Sequence, residues 1–320
     1  NRTFPIINLA IGLIEFQEQV SDLTESERGS ILAQVHYLRA HYYYFLVTQF
    51  GASPVDLGGG DFKFNTVPFT GFNKLDSDLL EKNFQVMIDD LVLASQSPFL
   101  ADARPPGQFK ISKAVALHLL AKVYLFRGYS TVAQASDFQN AYNTAKELID
   151  NQGKYGVALQ QNFADAYKQG NDYNTEIIFA AERIPKNNLN NGYNNPSGIG
   201  DRENMAASCF TPNYEQPRID PNATDPIEGR PFPFQRPLRK LTPTPWLLNV
   251  AFADKVNDSR YHGSFRTLWT IETASRPGTP EYEAFENAMA AVGREVGDKA
   301  FYLAVTQAQA NGPKAEDPYY

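Results

Sequence analysis

Residues 27–55 read ERGSILAQVHYLRAHYYYFLVTQFGASPV, and the fold is decided by how this stretch is read. At 100° per residue, Ile31, Leu32, Val35, Leu38, Tyr42, Phe45, Leu46 and Phe50 fall on one broad helical face. Ala40, Tyr43 and Val47 widen it, which leaves a narrow stripe through Gln34, Tyr37, His41, Tyr44 and Thr48 for water. A helix this apolar around its girth is central, with neighbours on most sides. Arg39 projects into the middle of the apolar face, where an unpaired charge would cost several kcal/mol, so a carboxylate or several carbonyls must meet it. Glu15 and Glu18, which share a helix face, could serve it as structural partners. Gly51 ends the helix and Pro54 keeps it ended.

Outward from that helix the chain is mainly α in its first half. Ile7, Ile11 and Ile14 carry helical spacing before it. A third helix begins at the caps Asp76 and Ser77 and sets Leu80, Phe84, Met87, Ile88 and Leu91 on one stripe. A fourth, capped by Ser112, runs through Ala114, Ala116 and Ala121 to Gly128. A fifth opens with a capping box, Ser136 and Gln139, and buries Phe138, Ala141, Tyr142, Ala145, Leu148 and Ile149. Ala121, Tyr124 and Gly128, followed by Ala141 and Ala145, have a tetratricopeptide flavour, so residues 1–155 are expected to form an irregular helical-repeat scaffold.

Residues 156–320 differ. Phe163–Tyr167 suggests a short helix and Glu176–Ala180 a brief strand or extended segment. Eleven of the 21 prolines fall within 183–245, too long a run for a simple connector. Trp246–Phe252 reads as a short helix, the alternation over 261–271 as a strand pair, Pro280–Met289 as a last helix and Gly297–Val305 as a last extended segment. Trp246 and Trp269 are both expected to be packed, and Asp258 with Arg260 to form a structural cap and ion pair. The expectation is a loop-rich half with a few short strands, packed on the scaffold.

Composition narrows the function. The 320 residues carry a net charge of −7 and no Lys/Arg-rich run, which argues against nucleic acid as a partner. No apolar run approaches the length needed to span a bilayer, and the single cysteine, Cys209, excludes an internal disulfide. Metal-dependent hydrolysis would want histidines at i, i+4 with a nearby glutamate. His36 and His41 are instead five apart, and His118 and His262 are isolated. No Gly-x-Ser-x-Gly elbow is present, and Asp89 and Asp90, being adjacent, point in different directions on a helix. Neither a catalytic residue, a metal site nor a cofactor is indicated.

Binding reads better. Residues 61–72, DFKFNTVPFTGF, place Phe62, Phe64, Phe69 and Phe72 on a loop beside Asn65, so rings can stack on the apolar face of a sugar while polar tips take its hydroxyls. Tyr193, Asn194 and Arg202 form a second group, whose planar amide and guanidinium suit vicinal hydroxyls. The competing readings are loop phenylalanines folded into the core and a solvated Asn-rich loop.

The sequence also carries a resemblance. Leu38-Arg39-Ala40, Tyr43-Tyr44-Phe45 and Phe50-Gly51 with Pro54-Val55 resemble the helix and exit loop of the SusD/RagB family, nutrient-binding lipoproteins of the Bacteroidetes outer membrane. Lys113-Ala114, Ala116 and the run Leu119 to Leu125 resemble its alanine-rich helix, and Thr175–Phe179, Thr244–Leu248, Asn257–Phe265 and Gly297–Ala300 resemble later segments. The resemblance implies capture of an oligosaccharide, without catalysis, for a SusC-like TonB-dependent transporter at the cell exterior. In glycan-binding relatives the post-helix loop usually offers tryptophan; here it offers phenylalanine. The resemblance further implies a lipid-bearing cysteine before the chain's start and a late helix beyond its end. A peptide-binding variant of the same family, a helical-repeat adaptor and a glycoside hydrolase stay open as alternatives.

Overall fold

The computed structural model describes residues 3–55, 74–168, 170–180, 209–212, 214, 225–231, 234, 237 and 240–302. The chain divides into two compact units, one of residues 1–160 and 169–182, the other of residues 161–168 and 183–320. The described residues are mainly helical, with four short strands.

Among the described residues the first unit has five helices: α1 (Thr3–Phe16), α2 (Glu25–Phe50), α3 (Ser77–Gln96), α4 (Lys113–Gly128) and α5 (Asp137–Asp150), followed by a single turn, α6 (Gln152–Tyr155). Each of the five packs on the next in sequence, and α2 also touches α4. α2 starts earlier than its apolar pattern suggests, because Thr24 and Glu27 form a reciprocal capping box. Asp76 caps α3 by accepting from the Leu79 N–H. Ile7, Ile11, Tyr43, Leu46, Phe84, Met87, Leu91, Leu119, Leu120 and Val123 close one continuous core.

Arg39 is met by Asp90 of α3 rather than by an acid of the first helix; Glu15 and Glu18 lie exposed. Its Nε donates to Asp90 Oδ2 at 2.7 Å and its Nη2 to Oδ1 at 2.7 Å. His36 Nδ1 lies 2.6 Å from the same Oδ1, so one carboxylate with 1 % side-chain exposure ties together two groups of α2. The adjacent pair Asp89-Asp90 does split: Asp89 faces out and takes a bond from Gln85.

A second buried ion pair fixes the α4–α5 hairpin. Arg127 Nε and Nη2 donate to Asp137 at 2.9 and 2.6 Å, and the other oxygen of Asp137 accepts the Gln134 N–H at 2.7 Å. This carboxylate organises the start of α5, and the Ser136–Gln139 capping box does not form. Ser136 sits at φ −88°, ψ −6°, in the helical region rather than the extended one a capping hydroxyl needs. α5 buries less than its stripe suggests: Ala141 and Leu148 are enclosed, whereas Phe138, Tyr142 and Ile149 are about half exposed or more. Phe138 lies over Gly128, whose missing Cβ leaves room for the ring.

The face of α2 is also rotated from the one expected. Tyr37 is buried, while Ile31, Phe45 and Phe50 are exposed. Tyr37 is covered by the extended segment 174–180, which lays Ile178 and Phe179 against the α2–α4 core on the side the sequence assigns to water.

Gly51 ends α2 at φ 82°, ψ −156°, a region essentially open to glycine alone. Its N–H reaches Val47 O, and a Cβ there would stand 2.6 Å from Lys74 O. Asn83 then clamps the exit loop, accepting from Ser53 N and donating to Ser53 O, both at 2.8 Å. Gly51→Ala is expected to lose about 1–3 kcal/mol of unfolding free energy, read as a lower urea midpoint, while Ala52→Gly at its neighbour should lose less.

The second unit holds Phe163–Tyr167 as a 3-10 turn, a five-residue π-type turn (Leu247–Ala251), α7 (Ser259–Ser264), α8 (Pro280–Ala290) and strands β1 (Ile227–Glu228), β2 (Leu268–Thr270), β3 (Glu272–Thr273) and β4 (Lys299–Tyr302). β1 and β3 pair in parallel, β2 and β4 antiparallel with an irregularity at Trp269/Thr270. Trp269, Ile271, Phe285 and Met289 form its core. The expected strand pair over 261–271 is only half right. Asp258 caps a helical turn through the Arg260 N–H and pairs with Arg260 at 2.6 Å. Tyr261 and Phe265, four apart, bring their rings to 5.2 Å as a helix would. Trp246 is 64 % exposed where packing was expected, on the same open side as Val250 one turn on.

Candidate functional site

The sequence's ligand-binding candidates, Phe62, Phe64, Asn65, Phe69 and Phe72 on the post-helix loop and Tyr193, Asn194 and Arg202 further on, lie outside the described residues. Arg39, Asp258 and Arg260 are described and have the ion-pair geometry given above.

Within the first unit a cleft of about 290 Å³ opens between α2, α4 and residues 176–179. α2 supplies Tyr37, His41 and Tyr44 at i, i+4 and i+7, and α4 supplies Val115, His118, Leu119 and Lys122 with the same period, so each helix turns one stripe toward the opening. The third wall is Glu176, Ile177, Ile178 and Phe179.

That wall is held from several directions. Arg104 Nη2 donates to Tyr173 O at 2.7 Å and Asn174 O at 2.9 Å. Its guanidinium stands 4.9 Å over the Phe109 ring, and Phe109 stacks on Tyr173 at 5.0 Å. Asn174 Oδ1 accepts the N–H groups of Glu176 and Ile177 at 3.0 and 3.3 Å. Thr175 exchanges two bonds with the backbone of Ala158, both at 3.1 Å, and Glu176 Oε2 accepts the Gln160 N–H at 2.8 Å. The segment is thus a strap tied at its near end, and its far end packs by Ile178 and Phe179.

A second groove of about 220 Å³ meets the first at His118, Glu176 and Ile178. It is lined mainly by Ala121, Ala145, Leu148, Ile149, Val157 and Leu159, and the two alanines leave the space that larger side chains would fill.

Inside the first cleft the aromatic groups form a connected array. Tyr37 and His41 stack at 5.7 Å, and Phe179 presents an edge to both, at 5.7 and 6.3 Å. Lys122 Nζ stands 5.6 Å from the Tyr44 ring centroid. Burial, and after it the charge of Lys122, holds both His41 and His118 below the usual imidazole range. Burial pushes the phenols of Tyr37 and Tyr44 up. The walls therefore offer two imidazoles that favour the uncharged form and two phenols, with the side chains of Lys122 and Glu176 beside them.

These groups can stack on a ligand and hydrogen-bond it. Glycoside cleavage by the usual route takes two opposed carboxyl groups, and Glu176 is the one acid among the residues lining this cleft. Among the described residues there is no group of three His, Cys, Asp or Glu side chains placed for a metal ion, and no helix long and apolar enough to cross a membrane.

The sequence showed the α2 stripe of Tyr37, His41 and Tyr44 but read it as wet. His118, Lys122, Glu176 and Phe179 were missed as site residues, since nothing local to them indicates that 174–179 returns across α2 and α4. The i, i+3, i+4 and i+7 pattern of Val115, His118, Leu119 and Lys122 was the available signal.

No family model matches the chain. Over 181 residues, 56% of this chain and 30% of the relative, it is 28% identical to a SusD-like protein of Bacteroides ovatus. Over 169 residues, 52% of this chain and 29% of the relative, it is 26% identical to SusD-like protein P2 of Formosa agariphila. The match thus spans under a third of either relative's length. A crystal structure of a SusD superfamily protein from Bacteroides fragilis superposes with a TM-score of 0.48 at 21% identity, over 66% of this chain and 38% of that one.

Proposed function

We propose, from its likeness to SusD-like proteins, that the chain is a member of the SusD/RagB family and part of a cell-surface nutrient-binding protein that captures an oligosaccharide without cleaving it. The observation that carries the reading is the strapped cleft of the first unit, where aromatic rings and a few polar tips line a space of about 290 Å³. That is the low end of the range for small-molecule sites, suited to a single sugar ring of a longer chain. Stacking and a few oriented hydrogen bonds supply the affinity, and uncharged imidazoles and phenols pair with hydroxyls without a fixed charge to desolvate. The transporter that receives the ligand is a TonB-dependent, SusC-like barrel, and the working location is the outer face of the outer membrane.

On the chemistry of their side chains alone, Phe62, Phe64, Asn65, Phe69 and Phe72, with Tyr193, Asn194 and Arg202, are further proposed ligand contacts. The test is native electrophoresis of the full-length protein through gels that contain soluble polysaccharides, with reducing ends assayed in parallel. Retardation by at least one glycan, with no reducing ends released, is the expected result. Released reducing ends would make the protein a hydrolase. Indifference to every glycan, combined with retention of peptides, would move it to the peptide-binding reading.

A further inference from the structure

We propose that the strapped cleft takes a sugar bearing a carboxylate, with Lys122 as the charged anchor of that carboxylate. This rests on the nutrient-binding reading and narrows it to the ligand's chemistry.

The protein carries a net charge of −7 and repels anions at a distance, so any preference for an acidic ligand has to be built locally. The cleft cancels that bias locally: its lining sets one lysine against one acid, with two imidazoles beside them. Lys122 and His118 stand one turn apart on α4, and His41 joins them from α2. The opposing acid, Glu176, already spends one oxygen on the Gln160 N–H at 2.8 Å. Lys122 rests over Tyr44 at 5.6 Å and makes no ion pair among the described residues. An ammonium lining an aromatic cleft, flanked by two imidazoles that burial and then its own charge disfavour from ionising, can anchor an anion. A neutral sugar would satisfy the rings and leave that ammonium without a counter-charge.

A carboxylate placed beside Lys122 offsets its charge and favours protonation of the two imidazoles. The groups facing them are Tyr37, Tyr42 and Tyr44 from α2, Lys122 from α4 and Glu176 from the strap. Both imidazoles sit below their ordinary value of about 6.5 in the free protein, and a bound carboxylate raises them. Binding then takes up protons, so affinity for the acidic sugar strengthens as pH falls into the range where the two imidazoles ionise, while the ligand's own carboxyl stays ionised. Affinity for an uncharged sugar lacks that gain.

The experiment is calorimetric titration of the full-length protein with uronate-bearing oligosaccharides (galacturonate, glucuronate and mannuronate types) and with the methyl ester of each. The expected result is that at least one acid binds tenfold or more tightly than its ester. The difference should disappear in Lys122→Ala, return in Lys122→Arg, and widen at lower pH. Lys122 is exposed, so its replacement should leave the fold intact. Acid and ester binding alike, or a difference that survives Lys122→Ala, overturns this inference and leaves the nutrient-binding reading standing. Binding of neutral glycans alone does the same. Failure of every glycan, neutral or acidic, removes both.

Discussion

Replacing Asp90 with alanine is expected to cost the helical unit about 3–5 kcal/mol, the largest loss of any single polar substitution in α2 or α3. The carboxylate accepts from Arg39 twice at 2.7 Å and meets His36 at 2.6 Å, with 1 % of its side chain exposed. Removing it strands a guanidinium on a side chain only 11 % exposed, and the cost comes from the unpaired charge more than from the lost pair. The double variant Arg39→Met, Asp90→Leu should therefore recover most of the loss, because apolar groups of similar volume replace buried ion pairs with little penalty. Equilibrium urea unfolding of the three proteins, followed by far-UV circular dichroism, reads this. A loss under 1 kcal/mol for Asp90→Ala, or a double variant no better than the single, would mean that this cluster does not organise the core.

Much of this hub was legible in the sequence, and the part that was not has a physical reason. Arg39 in an apolar face demands a carboxylate wherever the chain can supply one. Its position could be read, but not the identity of its partner 51 residues away. Gly51 and Asp76 act within a turn of themselves and were read correctly. Ser136 was misread because a capping hydroxyl works only from extended backbone, and Asp137 beside it pulls the chain into another shape by reaching Arg127 and Gln134. Tyr37 was misplaced because its burial depends on a strap more than 120 residues later in the chain. The candidate site suffered most from this. Its α2 wall was visible as a polar-aromatic stripe, whereas its enclosure exists only in three dimensions.

Asp137→Ala is expected to have a comparable effect, about 3–5 kcal/mol, centred on the α4–α5 hairpin. Asp137 has no side-chain exposure and Arg127 only 4 %. The substitution leaves the guanidinium and the Gln134 N–H without an acceptor at once. Arg127 also stands 5.8 Å from the Tyr124 ring centroid, a contact that does not replace a carboxylate. The exposed Lys146–Asp150 pair on the same helix is the control: water and salt screen it, so Asp150→Ala should leave the unfolding midpoint nearly unchanged. Hydrogen exchange of α5 amides separates the outcomes. Faster exchange confined to α4 and α5 in Asp137→Ala is expected, and unchanged protection would contradict the role given to the pair. Because α4 also carries His118 and Lys122, this variant should weaken ligand binding as well, through the wall it loosens.

A crystal structure of the full-length protein soaked with an oligosaccharide that retards it in native gels tests the account most directly. An intact sugar ring seated between Tyr44, His118 and Phe179, with its neighbouring rings still attached, is the predicted result. A cleaved product, or a sugar bound elsewhere with this cleft empty, would contradict it.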